Sequence, residues 1–284
     1  MKIKEYRSYF IQELTPIFDE GEAESFFYLI LENKQQLKRI DLALQHDLTF
    51  SEDEIKIWNA ILEQLKNEIP VQYLLGKTSF YGLDFEVNTN VLIPRPETEE
   101  LVDWIIKSNQ VDHNSKGLKI LDIGTGSGCI AISLANYIPN AQVFAIDVSE
   151  NALDTAQKNA ESNKVEVTFT NKNILETVDL ELQYDIIVSN PPYVRNLEKE
   201  EIKKNVLDNE PHLALFVEDD DALIFYRKIA ELAQKNLSEN GQLFFEINQY
   251  LGQEMINLLE EMNFKNIELR KDIYGNDRMI RSEK

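Results

Sequence analysis

An apolar run ends in five residues of which three are glycine, and an apolar helix begins directly after them. The run is Leu118-Lys119-Ile120-Leu121-Asp122-Ile123, the loop is Gly124-Thr125-Gly126-Ser127-Gly128, and the helix carries Ile130, Ile132, Leu134 and Ala135. Strand, tight loop and helix in this order open a parallel α/β sheet. The glycines let the backbone turn sharply and come close to a ligand, with helix N–H groups facing it. The spacing is G-x-G-x-G, not the dinucleotide G-x-G-x-x-G. No lysine follows in P-loop register, which argues against a nucleoside triphosphate.

The next strand, at 141–147, ends in an acid, Asp147, 19 residues after Gly128. A carboxylate there can accept hydrogen bonds from both hydroxyls of a ribose, a logic shared by NAD and S-adenosylmethionine sites. A helix with Leu153, Ala156 and Ala160 follows, then a strand at 165–169. Asn173 and Ile174 come after it, placed to border an adenine ring by a hydrogen bond and by packing. Asp122 has two readings: it holds the glycine loop through backbone N–H groups, or it sits near the amino-acid end of a ligand. Cys129, at a helix start, is read as a small packing residue, with a helix-stabilised thiolate as the alternative.

A second loop completes the picture. The apolar run Tyr184-Asp185-Ile186-Ile187-Val188-Ser189 reads as a buried strand, and Asn190-Pro191-Pro192-Tyr193 stops it. Two prolines lack the N–H groups that a central strand needs. The loop lies at a carboxyl end of the sheet, where ligands bind in such folds. The Asn190 side-chain oxygen and the Pro191 carbonyl are two acceptors side by side, which suits an NH2 group. Tyr193 offers a flat face to a planar amide or base. A planar nitrogen is a poor nucleophile because its lone pair is delocalised. Holding both N–H bonds on acceptors in a pyramidal geometry releases that pair. Taken alone, the tetrapeptide is also a plain rigid turn.

The rest of the chain sets the frame. Residues 1–69 read as helical, with apolar faces at Tyr6, Phe10, Ile11, Leu14 and Ile17, at Phe26, Phe27, Ile30 and Leu31, and at Leu37, Ile40 and Leu44. Ser51 and Glu54 form a capping-box signal for a helix with Ile55, Trp58, Ile61, Leu62 and Leu65. This bundle is either a stability domain or a docking surface for a protein. Residues 70–92 read as a β-hairpin linker, with alternation from Phe80 to Val87 after a glycine-bearing turn. In the run 92–99, Pro96 marks a helix start with Glu97 and Glu99 in its first turn. Strands are expected at 241–247, 264–271 and 277–281, and helices near 221–232 and 250–263. The domain scheme is therefore 1–69, 70–92 and 93–284.

Charge narrows the partners. The chain has 29 Lys and Arg against 50 Asp and Glu, a net charge of −21, spread along its length. Such a field repels phosphate backbones, so direct nucleic-acid binding is not expected. One cysteine excludes an intrachain disulfide. His46, His113 and His212 have no metal-ligand spacing and read as surface or loop residues; no metal is expected. The start has no apolar h-region and no run is long enough to span a bilayer, so a cytoplasmic location without membrane contact is expected.

Together these motifs resemble the S-adenosylmethionine-dependent class I methyltransferases, and more closely the protein-glutamine methyltransferases of the PrmC/HemK type. The resemblance rests on PVQYLLG at 70–76, LIPRPETE at 92–99, DIGTGSG at 122–128, NPPY at 190–193, EP-x-x-AL at 210–215 and the closing Gly275-Asn276-Asp277-Arg278. It implies a helical bundle, a hairpin linker and a seven-stranded, mostly parallel methyltransferase sheet. It implies a methyl donor, S-adenosyl-L-methionine, leaving S-adenosyl-L-homocysteine. Gly124, Thr125, Gly126, Ser127 and Gly128 would cradle the donor, Asp147 would hold its ribose, and residues 190–193 would hold a glutamine side chain. That glutamine would be the one in the Gly-Gly-Gln loop of peptide chain release factors, with the helical bundle helping to dock them. Two departures stand out: Phe216-Val217-Glu218-Asp219-Asp220-Asp221-Ala222 lacks the family's usual glycine and Asp-Gly pair, and Ile174 replaces a common aromatic residue.

Three rivals remain open at this level. One is a sister enzyme acting on a ribosomal-protein glutamine, against which the Pro-Glu-Thr-Glu run speaks. Another is a nucleic-acid amino methyltransferase, which would need base flipping and a basic channel. The last is a cofactor-binding assembly factor without catalysis.

Overall fold

The computed structural model describes residues 1–109 and 117–284, so His113 lies outside the described residues. The chain divides into two compact units, one of residues 1–76 with 204–209 and one of residues 77–203 with 210–284.

The first unit is helical: α1 (Ile3–Leu14), α2 (Glu20–Gln35), α3 (Arg39–Leu44), α4 (Glu52–Lys66) and α5 (Val71–Leu75). Its core forms around Trp58, with the rings of Phe27 and Phe50 centred 4.9 and 5.0 Å away and Tyr6 and Phe10 edge-on. Ser51 caps α4 as its spacing predicts: the Glu54 N–H donates to Oγ at 3.3 Å, and the Ser51 N–H donates to Glu54 Oε2 at 2.7 Å. Two expected faces are corrected. Helix α1 ends at Leu14, so Ile17 falls past it and is exposed. Helix α3 buries Leu42, and Ile40 and Leu44 face solvent. A six-residue helix has less than two turns, so two apolar positions cannot fix its inward face. The helix Lys204–Asn209 also belongs to this unit; the Asn209 amide donates to the Glu68 carbonyl at 3.4 Å.

The second unit opens with a hairpin, β1 (Lys77–Phe80) and β2 (Leu83–Glu86). Its turn is Tyr81-Gly82, both with positive φ, as a two-residue hairpin turn demands. The turn thus lies inside the alternating run and not before it. Then come α6 (Pro96–Ser108), β3 (Lys119–Ile123), α7 (Cys129–Tyr137), β4 (Gln142–Asp147), α8 (Glu150–Asn163), β5 (Val167–Asn171) and β6 (Tyr184–Ser189). Two-residue strands β7 (Val194–Arg195) and β8 (Phe216–Val217) pair in parallel. Between them lie α9, the helix Lys204–Asn209 of the first unit, and α10 (His212–Leu215). The chain closes with α11 (Ile224–Asn236), β9 (Leu237–Glu246), α12 (Gly252–Glu261), β10 (Lys265–Lys271) and β11 (Asp277–Glu283).

Seven strands form one sheet in the order β10-β11-β9-β6-β3-β4-β5. The five strands from β9 to β5 run parallel, and β11 is antiparallel to β9 and β10. Both faces are covered, so the strands are apolar on both sides. Ile120, Ile186, Val188 and Phe244 face α6 and α7, whereas Leu121, Ile187 and Phe245 face α11 and α12. From β3 the chain moves outward to β5, then returns to lay β6 on the other side of β3. That reversal is a topological switch point, which opens a crevice at the carboxyl ends of β3 and β6. Among the described residues, no helix is long and apolar enough to cross a membrane.

Candidate active site

Ile123 and Ser189, the last residues of β3 and β6, are paired across the sheet. The glycine loop and the run 190–193 therefore leave neighbouring strands side by side. Between them is a cleft of about 270 Å³, lined by Gly124, Thr125, Gly126, Ser127, Asp147, Asn173, Ile174, Asn190, Pro191 and Pro192. Ten of the twelve residues singled out in the sequence meet there. Gly128 and Tyr193 do not line it.

Each exception has a physical cause. Gly128 begins α7 at φ +82°, and a Cβ on it would lie 2.8 Å from Ile132 Cδ1 and 3.1 Å from Ala156 Cβ. It is a glycine for close packing, behind the loop. Tyr193 turns its hydroxyl to the sheet, donating to Glu246 Oε1 at 3.2 Å, and Arg278 Nη1 donates to that hydroxyl at 3.4 Å. Burial raises the Tyr193 pKa, so the phenol stays protonated.

Asp147 organises the loop as well as facing the cleft. Its Oδ2 accepts from the Gly126 N–H and its Oδ1 from the Ser149 N–H, both at 2.9 Å. Burial pushes its pKa up while these N–H bonds oppose the shift. Each carboxylate oxygen keeps a second lone pair for a ligand hydroxyl. A Cβ added at Gly124 or Gly126 would meet no atom within 4 Å, so backbone faces open space there. An apolar wall with Ile146, Ile174 and Phe225 completes a lining suited to a nucleoside. The Asn173 side chain accepts from the Leu175 N–H at 3.1 Å, capping a short turn and leaving its NH2 end for a ligand.

Asp122 is fully buried and outside the lining. Its Oδ2 accepts from the Thr125 hydroxyl at 2.6 Å, so it holds the loop through a side chain. Burial pushes its pKa up to about 7. Cys129 is buried and its thiol is pushed up to about 12 by burial, which makes it a packing residue.

The structure adds residues that the motifs did not single out. Thr98, the third residue of α6, is 2% exposed and lines the cleft. Its hydroxyl donates to Glu246 Oε2 at 2.6 Å, and the Asn190 NH2 donates to Thr98 Oγ1 at 3.3 Å. Glu246, at the end of β9, is the same signal that marked Asp147: an acid closing an apolar strand. Arg95 Nη2 donates to Glu210 Oε1 at 2.6 Å, and the Ile93 N–H donates to Glu210 Oε2 at 3.1 Å. That pair joins the runs 92–99 and 210–215 at the cleft.

Comparison with known proteins gives the family. A family model described as "Methyltransferase small domain" matches residues 106–214, and one described as "PrmC N-terminal domain" matches residues 6–76. A release factor glutamine methyltransferase of Flavobacterium psychrophilum is 66% identical over 281 residues, 99% of each chain. One of Bacteroides thetaiotaomicron is 43% identical over 274 residues, 96% of this chain and 97% of its own. A methyltransferase from Pyrococcus furiosus shares the fold at a TM-score of 0.53 and 20% identity, covering 78% of this chain and 98% of its own.

Proposed function

The chain belongs to the release factor glutamine methyltransferases, and we propose from that premise that the cleft places a glutamine side-chain amide for N-methylation in the Gly-Gly-Gln loop of a release factor. The protein is a methyltransferase that uses S-adenosyl-L-methionine. The observation that carries the site reading is the pairing of Ile123 with Ser189, which sets a backbone cradle and a pair of acceptors around one cleft.

When bound, the donor supplies a sulfonium methyl, which passes to the amide nitrogen as the carbon–sulfur bond breaks, leaving S-adenosyl-L-homocysteine and one released amide proton. The chain's own residues do the rest. Gly124 to Ser127 bring backbone close to the donor, Asp147 accepts from ribose hydroxyls, and Asn173 and Ile174 border the base. The Asn190 oxygen and the Pro191 carbonyl each accept one amide N–H, which favours a pyramidal nitrogen. Pro192 stiffens the loop, and Tyr193 braces it from behind through Glu246. No strong base is needed beforehand, because the nitrogen becomes acidic only once methylated, and positioning supplies much of the rate.

The helical unit helps to dock the factor; the boundaries expected at 69 and 92 move, because residues 70–76 carry helix α5 and join the helical unit, so the linker role falls to the hairpin β1–β2 at the start of the catalytic unit. The net charge of −21 favours a protein acceptor over nucleic acid, and the reaction belongs in the cytoplasm with the translation machinery. The test uses purified protein with donor labelled at the methyl group. Release factor, ribosomal protein and duplex DNA are offered in parallel, followed by peptide mass mapping. One methyl on the Gly-Gly-Gln glutamine supports the reading; label only in ribosomal protein or DNA overturns it.

A further inference from the structure

The Asn190 amide has two ends of nearly equal shape, and only its oxygen can accept an N–H from an acceptor glutamine. Something must decide which end faces the cleft. The hydroxyl of Thr98 lies 2.6 Å from Glu246 Oε2 and 3.3 Å from Asn190 Nδ2. Burial pushes the Glu246 carboxyl up, while the Thr98 hydroxyl, the Arg278 guanidinium and the Tyr193 hydroxyl pull it back; with a hydroxyl donor on each oxygen the carboxylate accepts and does not donate. The single Thr98 proton is therefore committed to Glu246, and Thr98 Oγ1 has only lone pairs left for Asn190. The NH2 end must meet it, and the oxygen turns to the cleft. A reversed amide would set acceptor against acceptor in a buried place, where Thr98 is 2% and Glu246 1% exposed.

Glu246 is itself held in the accepting role. Its other oxygen takes the Tyr193 hydroxyl proton at 3.2 Å, and Arg278, with Asp272 on its Nε at 3.2 Å, approaches that hydroxyl. The carboxylate thus has a hydroxyl donor on each oxygen and a guanidinium close by to balance its charge. The chain is directional: Arg278 to Tyr193 to Glu246 from one side, Asn190 to Thr98 to Glu246 from the other.

We propose that Thr98 and Glu246 are positioning residues for methyl transfer, fixing the Asn190 amide so that its oxygen faces the acceptor amide. The proposal rests on the functional reading above and deepens it. It also gives the threonine of Pro-Arg-Pro-Glu-Thr-Glu a role in the reaction beyond starting a helix.

The test compares wild type, Thr98→Val, Thr98→Ser and Glu246→Gln. Each is measured for kcat and KM with release factor, for donor affinity by calorimetry, and for melting temperature. Release-factor affinity is also measured with S-adenosyl-L-homocysteine bound. Thr98→Val keeps the volume and loses the hydroxyl, so kcat should fall about 10- to 100-fold with donor affinity unchanged. Thr98→Ser restores the hydroxyl and should stay within about threefold of wild type. Glu246→Gln brings in an NH2 that can donate to Thr98 and free its proton for Asn190, so kcat should fall here too. That variant decides the matter if Thr98→Val does not fold. Wild-type turnover in Thr98→Val or in folded Glu246→Gln overturns the proposal. So does a Thr98→Ser loss as large as that of Thr98→Val, or a loss matched by donor affinity. If wild type itself leaves glutamine unmethylated, the functional reading fails, and this inference falls with it.

Discussion

Ser189 donates its hydroxyl to the carbonyl oxygen of Ile123 at 2.7 Å, tying the last residue of β6 to the last residue of β3. Both are buried, and each directly precedes a loop that enters the cleft. The glycine loop and the run 190–193 are thus held side by side by the ladder and by one side-chain bond added to it. Ser189→Ala leaves the Ile123 carbonyl without that partner and should lower stability by about 1 kcal/mol. Urea unfolding with an unchanged m-value reads this directly. A variant as stable as wild type would remove the hydroxyl from the account of how the loops are spaced.

Two glycines of one loop should fail in different ways. Gly126 has φ +55° and open space where a Cβ would sit, whereas Gly128 has φ +82° and a Cβ clash at 2.8 Å with Ile132. Gly126→Ala should cost only about 1 kcal/mol of stability for its backbone conformation. Under the proposed function its methyl enters the donor's space, so donor affinity should drop about tenfold or more. Gly128→Ala adds overpacking to the same backbone strain and should lose about 2–4 kcal/mol. Calorimetry beside thermal unfolding separates the two, and a larger stability loss in Gly126→Ala would contradict the geometry.

Much of the cleft's lining could be read in the sequence because its signals are local. A strand that ends, a glycine needing positive φ and two prolines that stop a ladder all act within a few residues. Strand–helix alternation likewise pointed to a mostly parallel sheet, and its seven strands are present, whereas their order needed the fold. What stayed hidden is non-local. Thr98 meets Glu246 across 148 positions, and Arg95 meets Glu210 across 115. No spacing rule reaches that far; Thr98 meets Glu246 only once α6 is packed on β9, and Arg95 meets Glu210 only once the loop before α10 folds back to the start of α6. The run 96–99 was legible as a helix start, and its second role needed the fold. The inward face of α3 was missed for the opposite reason: six residues carry too little periodicity.

Asn190→Ala removes the side-chain acceptor and leaves the glycine loop, Asp147 and Asn173 in place. Turnover should fall by about two orders of magnitude or more, the scale seen when a positioned dipole is lost. Donor affinity should change by less than about threefold, because the change leaves the cradle intact. Single-turnover kinetics beside donor calorimetry checks both halves. Normal methylation by this variant would sink the role assigned to Asn190.

Asp122 should leave a mark on the pH dependence of stability. Burial pushes its pKa up to about 7 in the folded chain, against roughly 3.9 for a free aspartate. Between these values the native state holds a proton that the unfolded state has released. Unfolding then releases protons, and stability must fall as pH rises through that window. The contribution is fully present below about pH 4 and is lost once pH passes 7. Asp122→Asn keeps an acceptor for the Thr125 hydroxyl and cannot ionise, so it lacks this term. Relative to wild type it should therefore gain on the order of 2 kcal/mol between pH 5 and pH 8. Urea unfolding of both proteins at the two pH values measures the difference of differences, which cancels every other titrating group that behaves alike in the two chains. A flat difference would mean that Asp122 is already ionised in the folded protein, with the loop held by charge and not by a neutral acid.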